Sequence, residues 1–116
     1  MNKIFKVGLI GCGHIAETYF RGQQYFNNFK IIACADIDQK AAEKCAKLYN
    51  IKSKTVSEIL KDNEIEVISF VGDGSYLLNN TDIYSSVITK NKLIIIVCDN
   101  GGFAVINRLQ LFKGGK

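Results

Sequence analysis

Apolar and polar positions along this chain come in blocks, and the blocks predict alternating strands and helices. Val7, Leu9 and Ile10 form an apolar run that stops at Gly11-Cys12-Gly13. That predicts a short strand ended by a turn. From residue 14 to about residue 26 the spacing is helical, with Ile15, Tyr19 and Phe26 as the inner face. Asn27-Asn28 closes this helix, and residues 30–35 predict a second strand running into Asp36. Asp38 is a good N-cap for a helix over Gln39–Tyr49, with Ala42, Cys45, Ala46 and Tyr49 on one side and Asn50 at its end. A short third strand is expected near residues 51–55, then a brief helix over residues 58–61 capped by Ser57.

The second half repeats the alternation. Residues 66–71 predict a fourth strand that runs into Gly72-Asp73-Gly74, and a helix is expected over residues 78–90. Residues 93–98 are almost wholly apolar, as in a strand covered on both faces. Asp99-Asn100-Gly101-Gly102 follows. Residues 103–112 read as a short helix or an ill-packed apolar tail, and residues 114–116 as a frayed end.

Composition narrows the class. With 116 residues the chain has length for one small domain and a modest core. No apolar run reaches the length of a membrane span, and the opening MNKIFKVGLI reads as structure, not as a signal peptide. The four cysteines show no C-x-x-C pairing, so reduced cysteines in a cytoplasmic protein are expected. The net charge of +4 comes from scattered lysines, which predicts a solvated surface and not a nucleic-acid face.

The chemistry starts at the first turn. A strand, a G-x-G-x-x-A turn and a helix form a site for the diphosphate of a dinucleotide. Gly11 permits the tight turn, Gly13 lets backbone approach the anion, and Ala16 allows close helix–strand packing. Unpaired N–H groups at the helix start attract negative charge. Asp36 follows about twenty residues later, where a carboxylate is expected to bond a ribose 2′-hydroxyl and to favour NAD over NADP. The fold expected is α/β: a Rossmann-like three-layer sandwich of one domain, 1–116, with a parallel sheet of order 3-2-1-4-5 and right-handed crossovers.

Residues 3–68 resemble the Gfo/Idh/MocA (glucose–fructose oxidoreductase / inositol dehydrogenase) family in KVGLIGCGHIAETY, IIACADIDQKAAEKCAKLYNI and KTVSEILKDNEIEVI. The resemblance implies NAD contacts at Gly11, Gly13, His14, Ile15 and Asp36. The family's threonine–proline turn and its glutamate–lysine–proline motif, with the catalytic lysine, are not in this proline-free chain. Nor is the family's substrate domain, so a catalytic set is not expected here. Residues 69–115 instead resemble thiamine diphosphate enzymes, most closely the trihydroxycyclohexanedione hydrolases of inositol catabolism, in SFVGDGSYLLNNTDIYSSV and KLIIIVCDNGGFAVINRLQ. This implies Mg²⁺ ligands at Asp73, Asn100 and the Gly102 carbonyl, with Gly74 and Ser75 against the diphosphate. Oxygen donors of this kind suit a hard cation.

Three function classes are therefore open. They are a dinucleotide-binding module, a thiamine diphosphate and Mg²⁺ site, and a fusion relic or subunit completed by partner chains, with a junction near residues 65–70. An open strand edge at residues 93–97 and the apolar tail predict homo-oligomers.

Overall fold

The computed structural model describes residues 3–78, 80–90, 94–101 and 103–114. These form two compact units, Met1–Val67 and Ile68–Lys116.

In the first unit, β1 (Phe5–Ile10), β2 (Phe29–Ala35) and β3 (Lys52–Ser53) make a parallel sheet of order β1-β2-β3. The β1–β2 register runs Phe5 with Phe29 to Val7 with Ile31. It then slips by one residue, so that Gly8 faces Ala33 and Ile10 faces Ala35. The slip at Ile32 changes which side chains share a face. Ile31 and Cys34 join Ala16, Phe20, Cys45 and Ala46 in one cluster, beneath α1 (Ala16–Gly22) and α2 (Gln39–Tyr49). Ala33 and Ala35 join Ile59 and Ile65 in the other, beneath α3 (Val56–Leu60). Helices thus cover both faces of the sheet, giving three layers.

Local chemistry explains most boundaries. Asp38 accepts a hydrogen bond from the Lys40 N–H at 3.0 Å and opens α2, while Asn50 ends it with φ 52°. The third helix departs from expectation. Thr55, not Ser57, caps it, in a reciprocal box with Glu58: the Glu58 N–H donates to Thr55 Oγ1 at 3.2 Å, and the Thr55 N–H donates to Glu58 Oε2 at 2.7 Å. The first helix also differs. Residues 13–15 form a turn, α1 begins at Ala16, and Gln23–Tyr25 tightens into a 3₁₀ turn. Its inner face is Ala16 and Phe20; Ile15, Tyr19 and Phe26 are exposed. Phe20 stacks on Tyr49 of α2 with ring centroids 3.7 Å apart.

In the second unit, β4 (Ile68–Gly72) and β5 (Ile94–Cys98) pair in parallel, Ile68 with Ile94 through Gly72 with Cys98. The helix expected over residues 78–90 is the shorter α5 (Asp82–Ile88), and an unexpected helix before it, α4 (Asp73–Leu78), begins at the G-D-G itself. A last helix, α6, spans Ala104–Phe112. β5 is not covered on both faces: Ile94, Ile96 and Val97 are exposed.

The expected single sheet is described as two. The orders 3-2-1 and 4-5 both appear, each within its own unit. One parallel bridge, Lys6 with Ile65, sits on the edge of β1 opposite β2, reinforced by Lys6 Nζ and Glu64 Oε2 at 2.7 Å. Glu66 and Val67 then leave strand geometry before β4 begins.

Candidate functional site

The glycine turn is built on the carboxyl ends of β1 and β2. Gly11 has φ 101°, a conformation that side-chain-bearing residues rarely adopt, and its N–H donates to the Ala35 carbonyl at 2.8 Å. The next N–H, that of Cys12, donates to Asp36 Oδ2 at 2.6 Å, and the Asp38 N–H donates to Oδ1 at 2.9 Å. Asp36 is thus anchored to the turn. The Cys12 N–H first, and the Asp38 N–H second, hold its carboxyl below the usual carboxylate range.

Gly13 needs no unusual φ. A Cβ built there would meet nothing within 4 Å, so what its missing side chain leaves is open room beside the backbone. His14 and Ile15 are exposed turn residues, and Ala16 is buried against the sheet. The turn therefore brings Gly11, Gly13, His14, Ile15 and Asp36 to one end of the sheet. Open backbone and an ionised strand-end acid fit a dinucleotide's diphosphate and ribose. The helix behind the turn is seven residues long, so the backbone turn carries more of that fit than a helix dipole would.

Two features escaped the sequence reading. Gly8 lies within β1, and a Cβ there would come 2.6 Å from Ile59 Cγ2 and 3.3 Å from Ile65 Cδ1. Its signal was a glycine inside a strand pattern. The second is a meeting of Cys12, Cys34 and Cys45, whose sulfurs lie within 4.8 Å of one another. No spacing rule could have found it, because the three come from a turn, a strand and a helix. Burial pushes the Cys34 thiol up to about 11 and raises Cys12 further.

In the second unit, Asp73, Gly74, Ser75 and Asn100 line one cleft of about 170 Å³, together with Gly72, Phe103, Val105 and Ile106. The Phe103 ring lies over Gly74, where a Cβ would come 2.9 Å from Phe103 Cζ. Asp73 and Asn100 offer oxygen donors suited to a hard cation. Gly102 lies outside the described residues.

A parallel sheet with a strand–glycine turn–helix unit and an acid ending the next strand defines a Rossmann-type nucleotide-binding protein. The Gfo/Idh/MocA family, described as an oxidoreductase family with an NAD-binding Rossmann fold, matches residues 5–98, and the chain belongs to it. That match runs across residues 65–70 and takes in β4 and β5. A crystal structure of myo-inositol dehydrogenase from Lactobacillus casei, in complex with NAD(H) and myo-inositol, has a similar fold. Its TM-score is 0.62 and its identity 21%, over 97% of this chain and 43% of that one. Curated relatives carry the other name. The chain is 42% identical over 55 residues to 3D-(3,5/4)-trihydroxycyclohexane-1,2-dione hydrolase from Clostridium botulinum, covering 47% of this chain and 9% of that one. It is 35% identical over 66 residues to the same enzyme from Listeria monocytogenes, covering 57% and 10%. The chain thus spans about a tenth of these relatives' length. Among the described residues no helix is long and apolar enough to cross a membrane.

Proposed function

We propose that this chain is an NAD-binding module related to inositol dehydrogenase, acting in the cytoplasm and not catalytic alone. The observation that carries the reading is the Cys12 N–H to Asp36 bond, which fixes an ionised carboxylate beside an open glycine turn. Gly11 and Gly13 take the diphosphate, with His14 and Ile15 at its flank. Asp36 takes the ribose hydroxyls through lone pairs that its backbone donors leave available. A 2′-phosphate in the same place would meet a like charge. The chain has no proline and hence no glutamate–lysine–proline motif, so we assign it binding and not hydride transfer. Calorimetric titration of the whole chain tests this. NAD is expected to bind, NADP at least about tenfold more weakly, a difference of about 1.4 kcal/mol. Asp36→Asn is expected to narrow that gap. Failure of NAD to bind at millimolar concentration overturns the reading.

A second reading rests on the cleft in the unit Ile68–Lys116. We propose that Asp73 and Asn100 hold Mg²⁺ there and that Gly74 and Ser75 border the diphosphate of thiamine diphosphate, with Gly102 completing the ligand set. The shared cleft and the hydrolase relatives support it. On this reading the chain joins parts of two inositol-pathway enzymes. Bound there, Mg²⁺ would neutralise diphosphate charge. Binding of thiamine diphosphate that requires Mg²⁺ and is lost in Asp73→Asn is expected. Binding that ignores either condition rejects this reading and leaves the first untouched.

A further inference from the structure

Beneath the glycine turn, Cys12, Cys34 of β2 and Cys45 of α2 converge with all three sulfurs within 4.8 Å of one another. Cys34 and Cys45 are buried, and Cys12 is half-buried and gives the group its one partly exposed member. Their surroundings are apolar: Ala16, Phe20, Ile31 and Ala46 belong to the same cluster. The present hydrogen bonds are weak ones. Cys12 Sγ donates to the Ala35 carbonyl at 3.6 Å, and Cys34 Sγ donates to the Ala42 carbonyl at 3.4 Å. Asp36 is the nearby charged group that bears on Cys34.

We propose that this trio binds one soft, thiophilic metal ion of the Cu⁺ type through three thiolates. The donor set selects the metal. Three sulfurs without an oxygen are poor ligands for Mg²⁺ or Ca²⁺. Structural Zn²⁺ sites want four ligands. Thiolates favour Cu⁺, which accepts a small soft ligand set. Metal–sulfur bonds of about 2.3 Å place three sulfurs in a trigonal set about 4 Å apart, so the existing cluster closes with movements below about 1 Å. The step balances as three thiols plus one Cu⁺ giving one copper tris-thiolate of charge 2− and three protons. No oxidant is involved. The ion displaces the protons directly, which offsets the resistance of buried thiols to ionising in its absence. Three small apolar core residues would also pack this way, and the experiment separates the two. The proposal does not depend on the nucleotide reading.

The fourth cysteine, Cys98, is exposed and would bind copper by itself, so the test uses full-length Cys98→Ser protein under anaerobic conditions. Cu⁺ is supplied from a chromophoric chelator. The expected result is transfer of one ion per chain, an ultraviolet thiolate-to-copper band that saturates at that ratio, and three protons released per ion at neutral pH. Cys45→Ser, and the apolar Cys45→Ala as a second replacement, should each weaken binding at least about tenfold. Far-ultraviolet circular dichroism checks that each variant is folded. No transfer from the chelator, release of a single proton per ion, or undiminished binding in a folded Cys45 variant overturns the proposal. The proton count needs no variant at the cluster, so it stands even where a substitution unfolds the chain.

Discussion

Three glycines within six residues answer to three different physical demands. Gly8 has ordinary backbone angles, but the Ile59 side chain occupies the place of its Cβ. Gly8→Ala is overpacking, and an unfolding midpoint in urea should report a loss of about 1–3 kcal/mol. Gly11 has free space and an unusual φ, so Gly11→Ala should cost a similar amount through backbone strain, on the order of 1–3 kcal/mol. Gly13 has neither constraint. Gly13→Ala is therefore expected to leave the urea midpoint unchanged while weakening NAD binding, and this contrast isolates a ligand role from a folding role. Asp36 adds a pH dependence. Its folded-state carboxyl is depressed below the ordinary value of 3.8, so its contribution is complete above that pH and is lost as pH falls through the lower folded value. Glu58, held low by the Thr55 N–H and hydroxyl, acts in the same direction. Acid titration of Asp36→Asn should show a shallower fall in stability below about pH 4 than the parent shows. Gly11, Gly13 and Asp36 were legible in sequence because a turn and a strand end carry their constraints locally. Gly8 and the cysteine trio were not, because what constrains them arrives from elements distant in the chain.

The elements show where local pattern suffices. The second helix was readable to the residue, since Asp38 and Asn50 both state a boundary in their own chemistry. The third was misplaced because two hydroxyl residues compete for its start, and only Thr55 stands three residues before a glutamate. Substituting each separates them by thermal or chemical unfolding: Thr55→Ala should cost about 1 kcal/mol, whereas Ser57→Ala should stay within about 0.5 kcal/mol. The first helix buries Ala16 and Phe20, one position away from the periodicity assigned to Ile15 and Tyr19. Several apolar residues in sequence admit more than one helical face, and here the stack of Phe20 on Tyr49 selects one. The register slip at Ile32 is equally invisible to alternation rules, because the strand there is apolar throughout. β5 misled in the opposite way: an unbroken apolar run suggested cover on both faces, yet the strand is largely exposed.

Across the whole molecule, apolar burial is uneven. Every buried apolar side chain among the described residues lies between Ala16 and Ile65, while Phe103, Val105, Ile106, Leu109, Leu111 and Phe112 are exposed. Burial of this kind stabilises by about 25 cal/mol per Å², so protection should follow it. Native-state hydrogen exchange is expected to be slowest in β2 and α2 and faster in β4, β5 and α4 to α6. The same exposed surface should drive association, and light scattering across a range of concentrations should show a mass above 12.9 kDa. A concentration-independent monomer would contradict this. The Lys6–Ile65 rung has a further consequence. It sets the end of the first unit beside its beginning, so the backbone of residues 5–65 returns to where it started. Chains closed in this way tolerate new ends. A circular permutant that joins residue 67 to residue 3 through a short linker, and opens between Asn27 and Asn28, keeps β1, the glycine turn and Asp36 in their present order around the ring. It should fold with the same circular dichroism spectrum as the unpermuted segment 3–67, because the ends of that segment would simply have become one more loop.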